Sequence, residues 1–391
     1  MRILSAQYAI TNAGPALKKP LISVGDDGTI LEIEDTGGNI REKHSVEFLN
    51  GIIVPGFVNC HCHLELSHMK NSIGRNLGLT GFLDRIRTSR AAGEEIITEA
   101  SAKADRSMYV SGVNLCADIC NTPSTFDLKK ESRISYINLL EVFGIDPLKA
   151  EHRMEEIMHV ADIASEKNIP FFVVPHTVYS LSLTLFRLLL ETTRGNRVTS
   201  LHFMEARGEA ELVENHSGPL MDYYIGSGLL NGGLEAVESH ADAVLNEITG
   251  NGNLILVHNT YADRDTIKMV KKRENLYWCL CPRSNLFIEN EVPPVSVLMD
   301  EGCTITVGTD SLASNTDLNL LEELKTLQEN FTFLTLDELI PWATLNGAKA
   351  LQMEAEFGKI EKGKKPGLLL LEDADMQNMK LLPGSFVTRL A

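Results

Sequence analysis

The sequence predicts an α/β fold in which a (β/α)8 barrel, or TIM barrel, carries a small β-sandwich domain built from both ends of the chain. Three observations lead to this prediction. Eight short apolar segments alternate with helical patterns through the middle of the 391 residues, which indicates parallel strands joined by crossover helices. Short strand-like segments broken by turns stand at both ends. Several of the eight apolar segments end in residues that bind metals or transfer protons.

The two ends of the chain predict the small domain. Four strands are expected near the N-terminus, with a hairpin turn in the Gly-Asp-Asp-Gly segment 25–28, and one is expected after the turn at 363–367. The predicted terminal strands are 2–10, 21–24, 29–34, 46–49 and 368–371. Because β segments at opposite ends of a chain can pair, we expect residues 1–50 and 356–391 to form one composite domain, with the barrel in residues 51–355.

The middle of the chain supplies the barrel. Its predicted strands are 52–58, 113–119, 134–142, 170–175, 198–203, 254–258, 276–281 and 304–308. Each is short and apolar and is followed by a helical pattern. Eight such units can close a parallel sheet into a barrel, whose active site lies at the C-terminal ends of the strands.

Composition limits the partners of the chain. A formal charge of −17, from 36 basic and 53 acidic residues, opposes binding to nucleic acid or to an anionic membrane. The N-terminus lacks the apolar core of a signal peptide, and no apolar stretch approaches the roughly 20 residues of a membrane helix. Seven cysteines, an odd number without a secretion signal, indicate reduced thiols. We therefore expect a cytoplasmic protein acting on a small molecule, with a homodimer as the expected oligomer.

The ends of the predicted barrel strands hold the residues with chemistry. His61 and His63 follow the first strand at a spacing that points both side chains to one side. His202, His258 and Asp310 end or follow the fifth, sixth and eighth strands. Any one of them could be an ordinary polar loop residue, but together at one barrel mouth they predict a metal site.

A carboxylate stands near the end of the fifth strand. Glu205 lies three residues beyond His202, at the same rim. A carboxyl group beside a metal-bound water can move a proton to or from a nitrogen of the substrate. The alternative for Glu205 is an ordinary surface ion pair.

These motifs, in this order, resemble the amidohydrolase superfamily, and more narrowly its deaminase and chlorohydrolase branch, which includes cytosine, guanine and S-adenosylhomocysteine deaminases. The resemblance covers nearly the whole chain. Its pieces are Pro-Gly-Phe-Val-Asn at 55–59 before His61 and His63, His202 with Glu205, Val-His at 257–258, Cys-Pro-Arg-Ser-Asn at 281–285, Gly-Thr-Asp-Ser at 308–311, and segments 343–351 and 358–367.

The resemblance implies a ligand set and a mechanism. One divalent metal, with zinc expected and iron as the alternative, would be bound by His61, His63, His202 and Asp310, a donor set that suits a borderline cation. The nucleophile would be metal-bound hydroxide. In this pattern His258 orients or deprotonates the water, Glu205 protonates the ring nitrogen, and Asp310 relays the proton to departing ammonia.

Two related chemistries fit the sequence less well. Family members with two metals use a carboxylated lysine on the fourth strand, and segment 169–176 contains no lysine, which favours one metal and disfavours cyclic amide hydrolysis. A separate fold of zinc deaminases needs a Pro-Cys-x-x-Cys motif. The sequence contains no such motif, so that fold is rejected.

Substrate-contacting residues are predicted mainly from the resemblance. His176, after the fourth strand, resembles the substrate-contacting histidine of nucleoside-type deaminases. Glu65 and Arg75 lie in the first loop, where relatives contact the distal half of the substrate. Ser284 and Asn285 either fix the seventh loop or touch substrate.

The same region bears on the choice of substrate. Residues 62–67, Cys-His-Leu-Glu-Leu-Ser, resemble aminodeoxyfutalosine deaminases. The helix after the first strand, however, has Phe-Leu at 82–83 where many relatives have Trp-Leu. This departure puts adenosine-type specificity in doubt.

The sequence therefore predicts a metal-dependent hydrolytic deaminase of an amino-substituted N-heterocycle, purine-like or nucleoside-like, with aminodeoxyfutalosine as one candidate substrate. It would be an aminohydrolase acting on carbon–nitrogen bonds other than peptide bonds. The alternative is a chlorohydrolase or cyclic amide hydrolase with the same one-metal site. A remote alternative is a binding module that has kept the fold without catalysis.

Overall fold

The computed structural model describes residues 1–40, 45–230 and 234–391. The described strands are β1 (Arg2–Ala9), β2 (Leu17–Lys18), β3 (Leu21–Val24), β4 (Ile30–Glu34), β5 (Val46–Pro55), β6 (Phe57–Cys62), β7 (Val113–Cys120), β8 (Ser135–Val142), β9 (Phe171–Pro175), β10 (Val198–Phe203), β11 (Asn253–His258), β12 (Leu276–Leu280), β13 (Ile305–Val307), β14 (Leu368–Asp375) and β15 (Lys380–Arg389). They form three sheets.

Helices fill most of the connections between the central strands. The described α-helices are α1 (Gly78–Ser89), α2 (Glu94–Val110), α3 (Phe126–Glu131), α4 (Ala150–Glu166), α5 (Leu183–Thr192), α6 (Gly208–Asn215), α7 (Pro219–Gly226), α8 (His240–Asp242), α9 (Arg264–Val270), α10 (Pro282–Ile288), α11 (Val295–Asp300), α12 (Leu320–Asn330), α13 (Leu336–Trp342) and α14 (Leu345–Ala350). Leu64–Met69 and Pro147–Lys149 are 3₁₀ helices, and Ala243–Glu247 is a π-helical turn.

Both ends of the chain meet in one seven-stranded mixed sheet, ordered β15-β14-β5-β1-β3-β4, with β2 paired to β1. β14 runs antiparallel to β5, and β1 runs parallel to it. The predicted hairpin between β3 and β4 is present, since the Gly25 N–H donates to the Thr29 carbonyl at 2.8 Å. Leu4, Ile22 and Leu368 are fully buried in the apolar core of this sheet.

The central strands form two four-stranded parallel sheets, β6-β7-β8-β9 and β10-β11-β12-β13. β6 and β11 are buried along their whole length, and residues 254–257 of β11 accordingly form a continuous apolar run rather than an alternating one. The predicted α/β class with parallel sheets is therefore confirmed.

The outer edges of the two parallel sheets contact each other. The His202 N–H donates to the His176 carbonyl at 2.9 Å, which joins β10 to the segment after β9. The Asp310 N–H donates to the His61 carbonyl at 3.0 Å, which joins the segment after β13 to β6. These contacts bring the C-terminal ends of strands from both sheets into one region.

The first predicted central strand, 52–58, differs from the structure. It is split, because β5 continues to Pro55 within the terminal sheet and β6 begins at Phe57. Gly56 lies at the break, where an added Cβ would stand 2.6 Å from the Pro366 carbonyl oxygen. The chain passes from the terminal sheet to a parallel sheet at this crowded point. The boundary between the two strands is not visible in the sequence, because apolar residues stand on both sides of it.

Helix α4 illustrates how the helices cover the strands. It buries Met154, Ile157, Ala161 and Ala164, a spacing of three or four residues that forms one apolar stripe. This stripe packs against β8 and β9. The opposite face is exposed and charged.

The cysteines and the helices agree with the expectations from composition. All seven cysteines are free, and six of them are buried. Among the described residues, no helix is both long enough and apolar enough to cross a membrane.

Candidate active site

Three histidines meet where β6 and β10 end. His61 lies within β6, His63 follows it, and His202 lies in β10. The Nε2 atoms of His61 and His63 are 3.1 Å apart, and the rings of His61 and His202 are separated by 4.7 Å between their centres. One ring nitrogen from each of the three lies within 4.8 Å of the others. The predicted alternation of His61 and His63 along one strand end thus brings both rings to one point.

Asp310, which follows β13, faces these histidines. Its Oδ1 lies 3.5 Å from Nε2 of His63 and 3.8 Å from Nε2 of His61. Its Oδ2 accepts hydrogen bonds from the hydroxyls of Ser284 at 2.5 Å and Ser314 at 2.7 Å. Burial would raise the pKa of Asp310, but the neighbouring histidines and the Ser284 hydrogen bond lower it to about 2. The carboxylate is therefore ionised, with Oδ1 turned toward the rings.

The donor set fits a divalent cation. Burial, with the neighbouring histidines, lowers the pKa of His61 and His202 well below the usual value, so both rings are neutral, which is the metal-binding form. Nδ1 of His202 lies 3.1 Å from the His176 carbonyl, an acceptor that places a proton on Nδ1. This leaves Nε2 of His202 as a lone-pair donor. Three imidazoles and one carboxylate match the ligands that zinc and similar ions take in proteins.

A carboxyl group and a fourth histidine adjoin this donor set. Oε1 of Glu205 lies 3.6 Å from Nε2 of His258, the last residue of β11. Burial raises the pKa of Glu205 well above its usual value, and the charges of Asp310 and Glu209 raise it further. Burial lowers the pKa of His258 to about 4. The site therefore holds a carboxyl group whose protonated form is favoured by burial beside an unprotonated imidazole, and the two can serve as an acid and a base.

The backbone at these strand ends is unusual. Met204, His258, Asn259 and Asp310 all have positive φ angles, between 49° and 73°, a region that non-glycine residues seldom occupy. Asn259 is held in place by hydrogen bonds from its side chain to the carbonyls of Leu256 and Cys279. Such conformations cluster at functional sites, where surrounding structure maintains the strain.

His176 and Asn285 also face the site. Nδ1 of His176 lies 2.8 Å from the Ser180 hydroxyl, and its ring centre is 4.7 Å from that of His202. Burial lowers the pKa of His176 to about 3. The amide nitrogen of Asn285 lies 3.2 Å from Nδ1 of His258 and holds that ring. Ser284 and Asn285 therefore each support a residue of the site, Asp310 and His258 respectively.

Glu65 and Arg75 are placed differently. Glu65 is buried, and its two oxygens accept from Arg90 at 2.9 Å and from the Thr122 hydroxyl at 3.0 Å. Arg75 is exposed, and its guanidinium stacks 5.5 Å from the centre of the Phe287 ring. Neither of these predicted substrate residues joins the cluster of histidines.

Sequence reasoning missed a buried ion pair that supports the first loop. The Asp118 carboxylate on β7 pairs with Lys129 on α3, and its Oδ1 accepts the Leu64 N–H at 2.7 Å. Leu64 follows His63 directly and begins the 3₁₀ helix, whose first N–H groups have no partner within that helix. An aspartate inside a largely apolar strand was the available signal.

Comparisons with known proteins agree with this geometry. Residues 52–383 match the model of the amidohydrolase family. An adenosine deaminase of Helicobacter pylori is 27% identical over 338 residues, which cover 82% of this chain and 79% of that protein.

Two solved structures show the same fold. One is the aminofutalosine deaminase of Helicobacter pylori in complex with methylthio-coformycin, with a TM-score of 0.81, 24% identity, and coverage of 98% of this chain and 94% of that one. The other is the zinc complex of atrazine chlorohydrolase from Arthrobacter aurescens, with a TM-score of 0.73, 16% identity, and coverage of 94% and 86%. The family match spans most of the sequence, and the chain belongs to the amidohydrolase family.

Proposed function

We propose that this protein is a metal-dependent hydrolytic deaminase that releases ammonia from an aminopurine nucleoside or a closely related amino-substituted N-heterocycle. The observation that carries the proposal is the pair formed by Glu205 and His258. A buried carboxyl group, whose pKa is raised, stands 3.6 Å from a neutral imidazole, and both adjoin three histidines and an ionised Asp310. Removal of an amino group needs this combination, because the amine must be protonated before it leaves.

Four residues would hold the metal: His61, His63, His202 and Asp310. We propose zinc, which the related chlorohydrolase structure contains, with iron as the alternative. A cation at this point would act as a Lewis acid and lower the pKa of a water toward about 7. Ser284 and Ser314 hold Oδ2 of Asp310, which keeps Oδ1 directed at the histidines.

The remaining residues would move protons. Glu205 donates to the ring nitrogen next to the carbon under attack. His258, held by Asn285, orients the water and accepts its proton. Asp310, as an ionised carboxylate, takes the second proton of the attacking water and passes it to the departing amino group. His258 returns its proton to Glu205, 3.6 Å away. The reaction consumes one water and converts the C–NH2 group to a carbonyl, with release of one ammonia.

A chlorohydrolase is the second candidate, since a protein with that activity shares the fold. Chloride leaves without protonation, so a buried acid is needed less in that reaction. The buried carboxyl group of Glu205, whose raised pKa favours its acid form, therefore favours release of an amine. Cyclic amide hydrolysis stays a further alternative, although β9 (Phe171–Pro175) offers no lysine to bridge a second metal.

We also infer that the two parallel sheets close into one barrel comprising residues 51–355, with residues 1–50 and 356–391 as a composite β-sandwich domain. The hydrogen bonds between His202 and His176, and between Asp310 and His61, support closure at both edges. A cytoplasmic location and a homodimer stay predictions from the sequence.

The test is ammonia release by zinc-loaded protein from adenosine, 5′-deoxyadenosine, aminodeoxyfutalosine, guanine, cytosine and aminotriazines. Matched 6-chloropurine and chlorotriazine compounds would be assayed for chloride. The proposal predicts ammonia from at least one purine compound and loss of activity after chelation. Chloride release alone would establish the second candidate instead. No product from any compound with fully metal-loaded protein would contradict the proposal.

A further inference from the structure

Glu141 stands out among the buried carboxylates at the mouth of the site. It lies at the C-terminal end of β8, is 5% exposed, and its Oε1 has no hydrogen-bond partner among the residues that the structure describes. The nearby Glu65 contrasts with it, since both of its oxygens are paired, with Arg90 and Thr122. A buried acceptor without a partner is costly, so the free oxygen of Glu141 calls for a donor from outside the protein.

That oxygen adjoins two histidines of the candidate site, His202 and His176. It lies 3.6 Å from Nδ1 of His202 and belongs, with His176, to a group of side chains whose nitrogen and oxygen atoms lie within 4.8 Å of one another. A separation of 3.6 Å is too long for a hydrogen bond. Nδ1 of His202 already has the His176 carbonyl as its acceptor, at 3.1 Å. His202 therefore does not satisfy Glu141.

The position of Glu141 separates it from the reacting groups. Glu205, His258 and Asp310 follow or end β10, β11 and β13, whereas Glu141 is on β8. The rings of His258, His202 and His176 form a row toward β8 and β9, with centre-to-centre distances of 5.2 Å and 4.7 Å. A substrate whose amino group meets Glu205 would therefore extend its other end toward Glu141.

The chemistry of the substrate limits what can meet this oxygen. In an adenine nucleoside the ring nitrogens N1, N3 and N7 are acceptors, and N9 carries the sugar. The hydrogen-bond donors are the 6-amino group and the ribose hydroxyls. Because the amino group must lie at the acid and base, a hydroxyl is the donor left for Glu141.

We propose that Glu141 is a specificity-determining residue whose free carboxylate oxygen accepts a hydrogen bond from a ribose hydroxyl of the substrate. The inference rests on the proposed nucleoside deaminase function. It assigns the sugar-binding contact to β8, next to His176, rather than to the paired carboxylate of Glu65.

The test is a double-mutant cycle between protein and substrate. We would measure kcat/KM for adenosine and its 2′-, 3′- and 5′-deoxy analogues with wild type, Glu141→Gln and Glu141→Ala. Asp105→Asn is the matched control, because Asp105 is a buried carboxylate on α2 that bonds Ser132 and Tyr136 instead of facing the site.

Wild type and Asp105→Asn should disfavour one deoxy analogue by about 5- to 150-fold, the cost of leaving a buried acceptor without its hydrogen-bond partner. Glu141→Ala should reduce that preference to about threefold or less, mainly by losing activity on adenosine. Glu141→Gln keeps an amide oxygen that can accept the same hydrogen bond and should retain more of the preference than Glu141→Ala. An unchanged preference in Glu141→Ala would overturn the inference.

Two further measurements separate the ways of failing. Chelator-driven metal release is compared between variants. Faster release from Glu141→Ala, with an equal loss of kcat/KM for all substrates, would mean that Glu141 supports His202 as a metal ligand and would overturn the inference. Calorimetric binding of the same nucleosides to Glu205→Gln protein tests the hydroxyl contact without turnover. If wild type releases no ammonia from any nucleoside, but binding to the Glu205→Gln protein still shows a preference that depends on Glu141, the contact is supported and the proposed function is contradicted. Absence of binding by every nucleoside would overturn both.

Discussion

The buried ion pair between Lys129 and Asp118 gives a prediction that can be worked from the structure. The Lys129 side chain is 2% exposed and that of Asp118 is fully buried. The ammonium group also donates to Asn138 at 2.7 Å and contacts the Cys120 sulfur at 3.0 Å. Lys129→Met would leave the Asp118 carboxylate buried without a counter-charge. Breaking a buried pair in this way costs about 3–5 kcal/mol of the free energy of unfolding.

The matched variants isolate the coupling between the two charges. Asp118→Asn keeps an oxygen for the Leu64 N–H but leaves the ammonium group unpaired, so a similar loss is expected. The double variant Asp118→Asn/Lys129→Met removes both charges. Its loss should fall short of the sum of the single losses by about 2 kcal/mol or more, the size of coupling between groups in direct contact.

The assay is urea unfolding of metal-free protein at neutral pH, followed by circular dichroism. Chelator-driven metal release from loaded protein is measured in parallel. Because Asp118 fixes the backbone directly after His63, each single variant should also release metal faster than wild type. Additive single and double losses, or a loss below about 1 kcal/mol for Lys129→Met, would refute a coupled buried pair.

Three further predictions concern the site and its surroundings. Asp310→Asn should fold but bind metal and turn over poorly, because a charged ligand is lost; full metal content with near-normal turnover would contradict this. Ser314→Ala removes a hydroxyl that holds Asp310, so competition with a chelator should show metal affinity about 10- to 100-fold weaker; unchanged affinity would contradict that role. Burial raises the pKa of Glu323 to about 8, above its usual value near 4.5, so its stabilising contribution is full below pH 4.5 and is lost as pH rises through 8. Urea midpoints should therefore fall less between pH 5 and 8.5 in Glu323→Gln than in wild type, and equal falls would contradict the shift.

Much of the fold was predictable because buried parallel strands are short apolar runs. β3 and the central strand β10 lie at the predicted residues 21–24 and 198–203. Apart from 52–58, the other predicted central strands differ from the structure by one residue at one end, or at both ends for 304–308. The split at Gly56 could not be predicted, because residues 52–58 read as one run while their strand partners come from distant parts of the chain. β14 was predicted only as 368–371, since its second half is less apolar and its pairing with β15 extends it.

The candidate site was predictable where its residues stand at strand ends. His61, His63, His202, His258 and Asp310 could be named because every such end of a barrel opens at one mouth. Residues that act through a partner were missed. Ser314 matters only because its loop folds back to Asp310. Glu141 matters only because its Oε1 has no hydrogen-bond partner among the described residues. The sequence also does not reveal that Arg90 and Thr122 occupy both oxygens of Glu65.

The most direct test of the central claim is a comparison of wild type with Glu205→Gln at equal metal content, measured as ammonia released from the best purine substrate. The account predicts that the variant retains one metal per chain and loses turnover by about 10²- to 10⁴-fold, because the proton donor is gone while the metal ligands stay. Wild-type ammonia release by metal-loaded Glu205→Gln would contradict the role of Glu205 and the deaminase mechanism built on it.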